Sequence, residues 1–122
     1  MNEELYYREG AVYYNLFDNL QKSIVCFEKT LSINPDHAEA LRYACDLYDR
    51  MGEQAKVDET MVKIFASKSI PWEEKKELLK VAIAYYRTRV NYTDIVDTIF
   101  KKMVMADSGN EEIWNKYWRK SV

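Results

Sequence analysis

The 122-residue chain reads as an all-α protein, and three features of the sequence carry that reading. Glycine and proline number only 3 and 2, too few for the many tight turns of a strand-rich fold. Apolar residues recur at three and four rather than at two, and no stretch alternates long enough to make a strand. The pattern of the first third also returns 34 residues later. Hydrophobic residues make up 48% and charged residues 31%, enough to build a core and keep it solvated. A disordered tail, a collagen-like fibre and a disulfide-stapled miniprotein are thereby excluded.

Seven helices are predicted, at about 3–17, 20–33, 37–50, 53–67, 72–90, 92–106 and 110–120. The first rests on Leu5, Tyr6, Tyr7, Ala11, Tyr14 and Leu16-Phe17, with Gly10 inside it and in want of a packing reason. Ile24, Phe27, Leu31 and Ile33 form the second, which stops at Asn34-Pro35. Asp36 is the expected N-cap of the third, with Glu39 meeting the dipole in its first turn. Its apolar face is Leu41, Ala44, Cys45 and Tyr48, and Gly52 ends it. Val57, Met61, Ile64 and Phe65 give the fourth helix. Pro71 fits a first-turn proline opening the fifth, followed by Leu78-Leu79, Ala82-Ile83 and Tyr86. The run Glu73-Glu74-Lys75-Lys76-Glu77 reads as a solvated first turn. Ile95-Val96, Ile99 and Met103 carry the sixth helix. Gly109 separates a last short segment with Ile113-Trp114, Tyr117 and Trp118.

Aligned on itself, the chain repeats. Tyr7-x2-Gly10-Ala11-x2-Tyr14 matches Leu41-x2-Ala44-Cys45-x2-Tyr48 at a shift of 34, and Ser23-x3-Phe27 falls on Val57-x3-Met61. A further shift of 38 reaches Leu79-x2-Ala82-Ile83-x2-Tyr86 and Ile95-x3-Ile99. The third unit therefore holds four extra residues between Phe65 and Glu74, either as a loop or as one more turn on the fifth helix. Trp114-x2-Tyr117-Trp118 opens a fourth unit that is not completed.

These spacings resemble the tetratricopeptide repeat family, a helix–turn–helix array of 34-residue units. Tyr7, Ala11, Tyr14, Ser23, Phe27 and Pro35 keep its pattern best. The second unit departs from it with bulky Val57 and Ile64, and the third with Ile83 and Lys102. The resemblance implies one domain over 1–122, with repeats at about 4–37, 38–71 and 72–109 and a capping helix at 110–120. It implies three antiparallel helix pairs stacked as a right-handed superhelix. Small residues belong where paired helices cross most closely, which gives Gly10-Ala11 a reason. The half-a-TPR-like repeat of RNA-processing proteins also uses a Trp-x2-Tyr pair, and suits the last helix better than the first four.

The resemblance further implies that the first helix of each pair lines a concave groove for a peptide or a neighbouring subunit. Repeat register puts Arg8, Val12 and Asn15 there from the first unit. The second supplies Arg42, Tyr43, Asp46 and Asp49, and the third Lys80, Ala84 and Arg87. Arg8, Arg42 and Lys80 share one repeat position and would stack as a basic column suited to an acidic or phosphorylated segment. The competing reading is that they pair with Glu9, Glu39, Asp46 and Glu77. The carboxylate clamp for chaperone C-termini needs two asparagines where Val12 and Tyr43 stand, and basic residues at Glu77 and Val81, so it is rejected. Tyr43 points off the core side of the third helix. Tyr7, Tyr14, Tyr48 and Tyr86 occupy repeat core positions. Trp114 and Trp118 either cap the third repeat or form a homodimer seam.

The function expected is protein binding without catalysis, cofactor or metal. The alternatives are a self-associating structural subunit and an RNA-processing scaffold. One histidine and the two cysteines, Cys26 and Cys45, cannot assemble a zinc cluster. Nothing orients Cys26 against His37 as a catalytic pair, and Cys45 reads as a small buried hydrophobe. A net charge of −2 argues against direct nucleic-acid or anionic-membrane binding. The acidic start lacks a signal-peptide layout, which points to a reducing compartment, cytoplasm or nucleus.

Overall fold

In the computed structural model, residues 3–89 and 92–106 are described. They form α1 (Glu3–Asn15), α2 (Leu20–Ile33), α3 (Ala38–Arg50), α4 (Gln54–Ala66), α5 (Trp72–Tyr86) and α6 (Tyr92–Ala106). No strand occurs among the described residues. The seventh helix expected at 110–120 lies outside them, and so do Trp114 and Trp118. Among the described residues no helix is long and apolar enough to cross a membrane.

The periodicity overshoots the helix ends. α1 stops at Asn15, before Leu16-Phe17, because Asp18 takes a positive φ of 49° that no helix continues through. α5 ends at Tyr86 rather than near 90. Asp36 is not the cap of α3. His37 is, with its Nδ1 accepting the Ala40 N–H at 3.2 Å. The side chain of Asn34 accepts the Asp36 N–H at 3.1 Å, and that local turn leaves Asp36 one residue too early to cap. Pro71 sits just ahead of α5 as its cap residue, at φ −62° and ψ 150°.

The chain divides at Thr60/Met61 into two compact units. In the first, α1 packs on α2 and α2 on α3. Gly10 is buried at the α1–α2 crossing, where a Cβ would come within 3.0 Å of the Phe27 ring. Ser23 seals the same contact by donating its hydroxyl to the Gly10 carbonyl at 2.9 Å. Phe27, fully buried, in turn stacks on Tyr43 with centroids 4.7 Å apart and planes at 9°. Backbone, phenyl ring and phenol thus lie in three layers, with the buried phenyl in the middle. Gly10→Ala is therefore expected to destabilise by up to about 2 kcal/mol in urea melts. Overpacking a tight core costs about 1–3 kcal/mol, against a helix-propensity gain of about 1 kcal/mol.

The second unit buries Phe65, Leu79, Ala82, Ile83, Tyr86, Val96, Ile99, Phe100 and Met103 in one cluster, with α5 packed on α6. Leu41 is the fourth residue of α3 and Leu79, its repeat partner, the eighth of α5. The four extra residues are thus an added N-terminal turn on α5, Trp72–Lys75. Within that turn Lys75 is only 2% exposed, against the expectation of a solvated run. Its ammonium donates to the Ser67 carbonyl at 2.5 Å, just past the end of α4, where helix carbonyls lack donors.

Candidate partner-binding cleft

Side chains of α1 and α3 meet through two hydrogen bonds and two ring contacts. Tyr14 donates its hydroxyl to Asp46 at 2.5 Å, and Asn15 donates its amide to the Tyr43 hydroxyl at 3.3 Å. Tyr43 also meets Tyr14 edge-on at 5.1 Å and Tyr7 at 6.1 Å between centroids. A cleft of about 380 Å³ opens here, lined by Tyr7, Tyr14, Glu39, Arg42, Tyr43 and Asp46. It is a wall of three phenols with two carboxylates and one guanidinium around it.

Of the residues that repeat register assigns to a groove, Arg42, Tyr43 and Asp46 line this cleft. Tyr43 is half-buried, since one face covers Phe27, so it is not simply turned off the core. Val12 is exposed and is not part of the lining. Arg8 is exposed and pairs with Glu4 one turn before it, at 3.4 Å. Lys80 and Arg87 belong to the second unit, where both are exposed and Lys80 pairs with Glu77 at 3.4 Å. Such exposed pairs contribute little to stability. Repeat position gives Tyr7 and Tyr14 to helix packing, but each packs and lines the cleft. The signal in the sequence is their spacing of seven on α1, which puts both rings on one face.

Electrostatics tighten the phenols. Burial raises the Tyr7 pKa above its ordinary value, helped by Tyr43, Glu39 and Glu4. The hydrogen bond to Asp46 raises that of Tyr14, helped by burial and by the Asp46 charge, while Arg50 opposes it. The Arg50 guanidinium lies 5.1 Å from the Tyr14 ring centre and bonds Asp46 at 3.1 Å. His37, whose ring is 4.8 Å from Tyr7, serves α3 as its cap.

A second hollow of about 360 Å³ lies between α1 and α2, lined by Glu9, Tyr13, Gln21, Lys22, Val25 and Cys26. Burial and Glu9 push the Cys26 thiol up, with Lys29 opposing. Burial, then Asp49, Asp46 and Asp58, push the Cys45 thiol up to about 12. Burial and a bond donated to Glu28 at 2.6 Å raise the Tyr48 phenol. A thiolate is the reactive form, so Cys45 should resist alkylation at pH 8 until the protein unfolds.

The same shifts predict an alkaline limb. Cys45 and Tyr48 keep their protons in the fold at a pH where the unfolded chain has begun to release them. Below the ordinary thiol value of 9.0 both states are protonated there and the contribution is whole. As pH rises from about 9 toward 12 the unfolded state binds fewer protons, and stability falls. Urea midpoints measured across that range should decline, less steeply in Cys45→Ala.

Among the described residues no group of three or more His, Cys, Asp or Glu is arranged to hold a metal ion. No protein-family model, no curated protein and no solved structure matches this chain.

Proposed function

We propose that the chain is a protein-interaction module of tetratricopeptide-like design, whose α1/α3 cleft receives a segment of a partner protein without chemistry on it. The observation that carries this reading is the cleft itself. Three aromatic side chains and three charged ones converge on about 380 Å³, the composition of a recognition surface rather than of a packed core. The repeat resemblance supports it independently, because register by itself puts Arg42, Tyr43 and Asp46 on the groove side. Continuation of the helix pairs into a right-handed superhelix, closed by a capping helix, belongs to the same proposal.

Peptides selected from a random display library against the whole protein test it. Charge reversal on either rim, Arg42→Glu or Glu39→Lys, is expected to change the affinity of the selected peptides by about tenfold, a shift of about 1.4 kcal/mol. The helical circular dichroism should stay unchanged. Lys101→Glu, on α6, should have no effect. If neither rim reversal matters and Val12→Glu abolishes binding, the cleft is not the site.

A second reading, self-association, has its own observation. Leu5, Val12 and Leu16 recur at spacings of seven and four and stay exposed, with Phe17 beside them. A dimer in sedimentation that Val12→Glu dissociates would favour it over the cleft.

A further inference from the structure

The cleft also has a sign. Its lining sets two carboxylates, Glu39 and Asp46, against one guanidinium, Arg42. Glu39 and Glu4 push the Tyr7 phenol up, and at Tyr14 the push from Asp46 exceeds the opposing one from Arg50, which bonds that carboxylate at 3.1 Å. The other two members of the supposed basic column, Arg8 and Lys80, each face a carboxylate on their own helix.

The walls favour the same charge. The ring planes of Tyr7 and Tyr14 are turned from that of Tyr43 by 59° and 71°. The back of Tyr43 is closed by Phe27, so the phenol is held in place before any ligand arrives. The face of an aromatic ring attracts a cation, and nearby carboxylates add to that attraction. Tyr14 already holds one guanidinium in this way, that of Arg50.

We propose that the open cleft lined by Tyr7, Tyr14 and Tyr43 takes a cationic side chain, a lysine or arginine of the partner segment, and not an acidic or phosphorylated residue. The proposal rests on the reading of the cleft as a peptide site and specifies its ligand. The partner's ammonium or guanidinium sits against the rings with Glu39 at the rim as its counter-ion. Glu39 is well placed for this, with a side chain 61% exposed and its carboxylate 3.6 Å from the His37 ring.

Five capped pentapeptides test it, alike except for a central Lys, Arg, Glu, phosphoserine or Gln. They are titrated into the whole protein while the ring-proton resonances of Tyr7, Tyr14 and Tyr43 are followed. The Lys and Arg peptides are expected to move all three rings and the others not. Glu39→Gln should weaken the cationic peptides about two- to fivefold, the range of one partly exposed ion pair. Arg42→Gln should strengthen them, and added salt should weaken them. If the Glu or phosphoserine peptide moves the rings instead, the sign is wrong and the cleft reading stands. If the Gln peptide moves them as much as Lys does, charge plays no part and the inference falls alone. If no peptide moves them, both fall.

Discussion

Phe27→Ala is expected to cost about 3–5 kcal/mol, the range for deleting a fully buried phenyl ring, and to take the cleft down with it. The ring is 0% exposed and holds two layers apart. On one side it meets the Gly10 backbone at the α1–α2 crossing, and on the other it backs Tyr43. Without it Tyr43 loses the support that fixes its orientation toward Tyr7 and Tyr14. Thermal and urea melts should show the loss, and binding of any cleft ligand should fall further than stability alone explains. Phe27→Leu, which keeps most of the apolar volume but no flat face, separates the two effects. It should recover much of the stability and little of the binding.

Lys75→Ala should cost nearly as much, about 3–5 kcal/mol, for a different reason. A charge-assisted hydrogen bond is worth about 1.5–3 kcal/mol, and each buried methylene of the stem adds about 0.8 kcal/mol. Lys75 is 2% exposed, so both contributions apply nearly in full. Lys75→Met keeps the methylenes and removes the ammonium, leaving the Ser67 carbonyl without the donor that now reaches it at 2.5 Å. It should recover roughly half of the loss in a urea melt. Equal losses in Met and Ala would mean that the ammonium carries everything. No loss in Met would mean that packing does.

The helices are legible because their signals are local. Spacing of three and four fixes six elements to within a few residues, and repeat register leads to Arg42, Tyr43 and Asp46. What escapes is decided by contacts distant in sequence or by competition within a turn. Asp36 has the better capping chemistry, but Asn34 claims its N–H and hands the cap to His37. Lys75 sits among charges that read as solvated, and only the end of α4 at Ser67 makes its burial intelligible. Of the pairings that compete with the basic column, Lys80 with Glu77 is present, whereas Arg8 takes Glu4, one turn before it, in place of Glu9. Repeat position gives Tyr7 and Tyr14 a single role in packing, whereas a tyrosine has two faces and an edge.

That the α1/α3 cleft is the place where a partner segment is held is tested most directly by intermolecular nuclear Overhauser effects. A bound peptide, unlabelled against isotope-labelled protein, should show cross-peaks from its side chains to the ring protons of Tyr7, Tyr14 and Tyr43. Cross-peaks confined to the methyl groups of Leu5, Val12 and Leu16, with the three tyrosines silent, would contradict the account.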